Sequence, residues 1–175
     1  HRVNIGIEHG NYKFRVDVVG RNYKNELAIK AFDLVYEAGI STVSNNILGY
    51  PDETRELIFD TVELARKVKS NDINAFTFIP YQGTSLRGLC ETKNYLDKER
   101  LANIYETESL LNMPTISKAE IGGLVKTFVL YSRLPRKYWK EIKIAEQSTE
   151  EGNEKFDELI ALYRNEYSNK PLALD

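Results

Sequence analysis

The sequence predicts an α/β protein with parallel strands, followed by a purely helical second half. Three observations lead there. Short runs of alternating or β-branched apolar residues recur, helix-period stretches separate them, and Gly or Pro stands at almost every junction. Strands separated by whole helices pair in parallel, because a parallel pair needs a crossover and each intervening helix has a suitable length.

Val3, Ile5 and Ile7 alternate with Asn4 and Gly6, the period-two signal of a first strand. Residues 11–24 are polar and basic and read as a loop. Asn25 is the expected N-cap of a helix whose apolar face is Leu27, Ala28, Ala31, Phe32, Val35 and Ala38. Gly39 is placed to end that helix in the left-handed region. Residues 40–48 are rich in β-branched side chains and form the second strand. A turn at residues 49–54 leads to a helix with Leu57, Ile58, Val62, Ala65 and Val68 on one side. Asn71-Asp72 breaks that pattern, residues 73–79 form the third strand, and Pro80 stops it. Residues 2–87 are thus a run of β/α units with helices on one side of the sheet. Beyond residue 92 the spacing predicts helices only, over 97–112, 117–132, 135–147 and 151–168, with a frayed tail.

The composition narrows the function. A chain of 175 residues, 42% hydrophobic and 29% charged, is long enough for a real core and is not disordered. A net charge of -2 gives no electrostatic reason to expect nucleic acid as a partner. No apolar run approaches the roughly 20 residues of a membrane span, so no membrane role is expected. Cys90 is the single cysteine, and His1 and His9 are the only histidines. They cannot build a disulfide framework, a zinc finger or a self-contained iron–sulfur site. One cysteine fits a reducing compartment, and the cytoplasm is the expected location. The chain opens on His1 and enters a strand almost at once, as a fragment of a longer protein would.

Ligands of parallel β/α structures collect where the strands end. The first strand ends in Gly6-Ile7-Glu8-His9-Gly10, and the second in residues 45–54. The third ends in Phe78-Ile79-Pro80-Tyr81-Gln82-Gly83-Thr84. Each also has a plain structural reading. The glycines serve turns, Glu8 is a solvated carboxylate, and Thr54 and Glu53 belong to a helix start. His9 has no second histidine or cysteine nearby with which to bind metal, and Cys90 reads as a small buried residue.

In order and spacing, the three ends are more specific than any one alone. Gly-Ile-Glu-x-Gly, then Arg21 in "VGRNY", then "ILGYPDET", then "PYQGT" resembles the last three β/α units of the radical S-adenosylmethionine (SAM) barrel. The stretch "LVKTFVLYSRLPRKYWKEIKIAE" resembles the helical extension of radical SAM proteins that carry a cobalamin-binding domain. The resemblance implies an arc of a TIM-like (β/α) barrel over residues 1–92 and a helical extension over 93–175. It implies SAM as cofactor, a [4Fe-4S] cluster held by three cysteines outside this chain, and cobalamin on a further domain. SAM is then cleaved to methionine and a 5′-deoxyadenosyl radical that acts on a separate substrate, as in cobalamin-dependent methyl transfer. Carried over by position, Glu8 lies beside the ribose and methionyl part of SAM, and Arg21 approaches its carboxylate. Asn45 faces the ribose hydroxyls. Ile47, Gly49 and Tyr50 lie against adenine, and Ile79, Pro80 and Tyr81 form the other edge of that slot.

Two other readings stay open: a non-catalytic β/α scaffold module, and an unrelated phosphate-handling domain, disfavoured by the lack of a phosphate loop. An unpaired first strand would also favour self-association, most simply as a two-fold dimer.

Overall fold

The computed structural model describes residues 1–102 and 108–168. Three strands, β1 (Arg2–Glu8), β2 (Ser41–Leu48) and β3 (Asp72–Thr77), form one parallel sheet in the order β1-β2-β3. Seven α-helices accompany them among the described residues. They are α1 (Tyr12–Phe14), α2 (Asn25–Glu37), α3 (Arg55–Lys67), α4 (Ser85–Thr92), α5 (Lys118–Arg133), α6 (Trp139–Ala145) and α7 (Glu150–Leu162). The predicted parallel pairing and the crossovers α2 and α3 are present.

Register separates the two faces of the sheet. Asn4, Val43 and Asp72 share one row, and Gly6, Asn45 and Asn74 the next, followed by the pair Ile47 and Phe76. Asp72, Asn74 and Phe76 are exposed, so these rows form a largely open face, in which Val43 alone is buried between Asn4 and Asp72. The alternate residues point to the helices. Ile7 packs with Phe32 of α2 and with Leu64 and Val68 at the end of α3, with Ile5 and Ile29 against them. Leu48 joins the larger core with Ile58, Val62 and Ala65 of α3 and Ile121, Leu124 and Phe128 of α5. Each such side chain contributes about 1.5–3 kcal/mol by leaving water. That larger core takes residues from both halves of the chain, from Leu48 to Leu159.

Three local expectations are corrected. Residues 11–24 are not plain loop. They hold α1, capped by the Asn11 side chain, which accepts from the Phe14 N–H, and a π-helical turn at Arg15–Val19 that Gly20 ends at φ 73°. The cause is Arg15, which is fully buried. It donates to the carbonyls of His9 and Tyr23 and to Asn25 Oδ1, tying the polar segment to the sheet. Asn25 is not the N-cap. Lys24 occupies that position without a side-chain hydrogen bond, and the Asn25 amide instead donates to Gly10 O at 2.8 Å. A tertiary contact has outbid the local cap.

The helix expected over 97–112 is absent from its described residues, 97–102 and 108–112; residues 103–107 lie outside them. Asp97 competes locally, accepting the Glu99 N–H on its side chain and the Arg100 N–H on its carbonyl. Leu110 and Leu111 are both buried with Met113 and Ile116, a spacing that an extended segment buries and a single helical stripe does not. Asn112 N donates to Tyr95 O, holding the segment across the core.

This excursion decides which helix covers β3. Ile121, in the first turn of α5, lies against Gly49 after the end of β2. At the other end of α5, Arg133 donates to Ser70 just before β3. So α5 runs antiparallel to the strands and packs along β3 and α3, where the helix of a third β/α unit belongs. The helix that directly follows β3, α4, is held instead at the ends of the strands.

Candidate functional site

Asn45 and Ile47 lie within β2, the other residues assigned from sequence sit at or beyond the C-terminal ends of the parallel strands, and they divide by exposure. Glu8 closes β1 in the left-handed region, at φ 62°. Its side chain folds back over Gly6, where a Cβ would stand 2.5 Å from Glu8 Oε1. The missing side chain at Gly6 gives the carboxylate its place. Arg21 brings its guanidinium to 3.8 Å from that carboxylate while staying 60% exposed, available to another anion. Asn45 faces the open side and accepts from Asn74 Nδ2 at 3.1 Å. Ile47 is half-buried and stands in register with Phe76.

Gly49 and Tyr50 behave differently. Gly49 adopts φ 86°, which only glycine takes without strain. Tyr50 is buried, its ring 4.9 Å from Phe78 and in edge contact with Phe14 and His9. Burial pushes its phenol far above the ordinary range, with the nearby Glu8 and Glu53 adding to the shift. Tyr50 therefore turns little of its ring to a ligand, and its backbone N–H and carbonyl already pair with Glu53. Beyond the third strand, Pro80 is buried and its carbonyl accepts from Arg87 at 3.2 Å. Ile79 is half-buried, and Tyr81 is exposed with its carbonyl held by the Thr84 cap of α4. Glu8, Arg21, Asn45 and Ile47 are brought to one end of the sheet, whereas residues 79–81 are organised chiefly by α4.

Sequence reasoning missed the buried pair beneath this rim. His9 and Glu53 are both fully buried, with His9 Nε2 2.9 Å from Glu53 Oε1. The Asn11 N–H donates to His9 Nδ1 at 3.0 Å, so the neutral ring carries its proton on Nε2, facing the carboxylate. The approach is close but off the ideal hydrogen-bond line, and neither atom has another partner among the described residues. The other oxygen, Glu53 Oε2, accepts from Gly49 N at 2.5 Å and Tyr50 N at 3.0 Å. One carboxylate thus joins the end of β1 to the turn after β2. The structural role that sequence assigns to Glu53 agrees with this. The only sequence signal for His9 was its place between the Glu8 and Gly10 of the first strand end.

A second link holds the turn from outside. Asp52, at φ 64°, accepts from Lys93 Nζ at 2.5 Å and Tyr95 OH at 2.7 Å. Partial burial raises the Asp52 pKa, but these two donors outweigh it and hold the carboxyl below its ordinary value. A depressed carboxylate stabilises the fold above its unfolded pKa and loses that contribution as pH falls through its folded pKa, so this link fails only in acid.

No group of three or more His, Cys, Asp or Glu residues that could hold a metal occurs among the described residues, and with Cys90 the single cysteine of the sequence those residues do not fit an iron–sulfur cluster. Cys90 is fully buried in the main core, and burial pushes its thiol up to about 11. Thiolate is the reactive form. A thiol-specific chromogenic reagent at pH 8 should therefore label the folded chain only after unfolding. Stoichiometric labelling within minutes would contradict the burial. No described helix is long and apolar enough to cross a membrane.

No family model matches the chain. Residues covering 81% of the chain are 23% identical to an uncharacterized methyltransferase of Pyrococcus horikoshii, of which they cover 31%. Over 47% of the chain, identity is 33% to a tRNA-2-methylthio-N(6)-dimethylallyladenosine synthase of Thermosipho melanesiensis, of which 19% is covered. The chain spans about a third of the first relative and about a fifth of the second. Both relatives are named as enzymes, one for methyl transfer and one for making a methylthio-adenosine.

Proposed function

We propose that this chain holds the nucleoside side of SAM in a radical SAM enzyme, with cobalamin-dependent methyl transfer as the finer reading. In this reading residues 1–92 are the last three units of a (β/α) barrel and the chain from residue 93 is its extension. The supporting observation is the order and placement of three strand ends. Glu8 with Arg21, Asn45 with Ile47, and the backbone at Gly49-Tyr50 stand in sequence along one end of a parallel sheet. Two relatives named for methyl and methylthio chemistry favour the same class.

The donor set fits that half of SAM. Glu8 and the Asn45 amide offer hydrogen bonds to ribose hydroxyls, and the exposed Arg21 offers a charged fork to the carboxylate. Ile47 and the backbone of Gly49 offer a flat apolar and peptide surface to adenine, closed by residues 79–81 beyond the third strand. When bound, SAM supplies a 5′-deoxyadenosyl group to the reaction; the chain's own residues bind and orient it. In this reading the cluster, and the cobalamin of the finer one, are held outside this chain.

The test uses a protein that joins this chain to a cluster-binding segment. Incubated anaerobically with reductant and SAM, it should release 5′-deoxyadenosine, and Arg21→Ala should raise KM for SAM about tenfold, the loss of about 1.4 kcal/mol of binding. A parent gene with no Cys-x-x-x-Cys-x-x-Cys upstream, or no 5′-deoxyadenosine above background, would leave the scaffold module as the better reading.

A further inference from the structure

Asn74 carries more hydrogen-bonding capacity than the fold uses. It stands on the open face in register with Asn45 and donates one N–H to Asn45 Oδ1 at 3.1 Å. A carboxamide has two N–H donors and an oxygen with two lone pairs. Asn74 therefore keeps one N–H and its carbonyl oxygen, and its side chain has no other hydrogen bond among the described residues. Exchanging N and O in both amides preserves the result, since Asn74 then keeps both N–H groups and one lone pair. Two positions on, Phe76 faces the same side and is 51% exposed. It pairs in register with Ile47, so its ring borders the slot assigned to the cofactor.

A donor beside an acceptor on one amide, next to an exposed aromatic ring, is complementary to a flat heterocycle with the reverse pattern on its edge. Asparagine meets adenine in this way, accepting from N6–H and donating to N7, and an aromatic side chain supplies a stacking face. We infer that Asn74 and Phe76 form a subsite for the adenine ring of a substrate nucleoside, beside the cofactor's own. Calling this ring the substrate rests on the SAM reading above; the subsite itself rests on the two side chains.

The experiment is a titration of the isotope-labelled chain with adenosine, alone and with SAM present. The signals followed are the side-chain N–H2 groups of Asn45 and Asn74 and the backbone amide of Phe76. Saturable shifts there are expected, with a dissociation constant of about 1 mM. Asn74→Leu should weaken them at least about tenfold, and N6,N6-dimethyladenosine, which has lost both N6 hydrogens, should bind about three- to tenfold more weakly than adenosine. Asn74 is exposed, so the variant should keep the fold, as an otherwise unchanged amide spectrum will show. Shifts confined to Gly49, Tyr50 and Tyr81 and indifferent to Asn74→Leu would place adenosine in the cofactor slot and overturn the subsite. So would the absence of any shift up to about 10 mM. SAM alone separates the two ideas. Shifts with SAM at Glu8 and Ile47, but none with adenosine at Asn74, defeat only the subsite. Shifts with adenosine at Asn74, but none with SAM anywhere, support the subsite and defeat the cofactor reading.

Discussion

Glu53→Ala should lower the melting temperature of the chain by about 6–12 °C, one of the two largest single-residue effects expected here. The carboxylate is fully buried and takes the N–H groups of Gly49 and Tyr50 on one oxygen while the other faces the His9 Nε2 proton. Truncation leaves three donors facing a dry cavity. Removing one partner from such a buried polar set costs about 3 kcal/mol or more. For a chain of this length, each kcal/mol shifts the midpoint by about 2–4 °C. Glu53→Gln sharpens the test. Its amide oxygen can accept from the two backbone groups, but its N–H2 then meets the His9 proton. The ring cannot switch tautomer without stranding the Asn11 N–H that Nδ1 accepts. An intermediate loss, roughly half that of alanine, is expected. Equal stability of Glu53→Ala and the parent in urea melts with an unchanged m-value would remove the pair from any structural role.

Gly10→Ala should be as damaging for a different reason. A Cβ there would stand 2.1 Å from the carbonyl oxygen of Asp60 and 2.5 Å from the Thr61 Cα, both backbone of α3. Side chains can swing away from such a clash, but a helix backbone cannot. The close approach is used, because Gly10 N donates to Thr61 Oγ1 and Gly10 O accepts from Asn25. Forcing the two apart breaks both bonds as well as the packing, so the cost should reach the upper end of overpacking penalties, about 3 kcal/mol. Gly20→Ala is the control. Gly20 has open space around it and φ 73°, so only backbone strain of about 1 kcal/mol is expected. The prediction fails if denaturant melts rank Gly20→Ala as the more damaging of the two.

Both predictions concern the seam between the first two strand ends, and sequence reading sees that seam only in part. The strand ends themselves are legible, because Gly6, Gly10, Gly49 and Pro51 punctuate apolar runs of the right length. Their joining through His9 and Glu53 is not, since the two residues are far apart in the chain and each has an ordinary local explanation. Arg15 teaches the same lesson. A basic residue in a polar stretch reads as solvated loop, yet here the carbonyls of His9 and Tyr23 and the Asn25 amide take its two terminal nitrogens in the interior, while its Nε has no hydrogen-bond partner among the described residues, and it folds that stretch into helical turns.

The sequence by itself determined the three parallel strands, the crossovers α2 and α3, the helix α5 and the placement of candidate ligand groups at the strand ends. These follow from short-range periodicity and from glycine and proline, whose preferences act within a few residues. Only the tertiary structure decided that Tyr50 turns its ring into the core, that residues 108–116 cross the core without forming a helix, and that α5, not α4, covers β3. Each of these depends on which buried surface is still uncovered when the segment arrives. That is a property of the assembled core, and no local pattern encodes it.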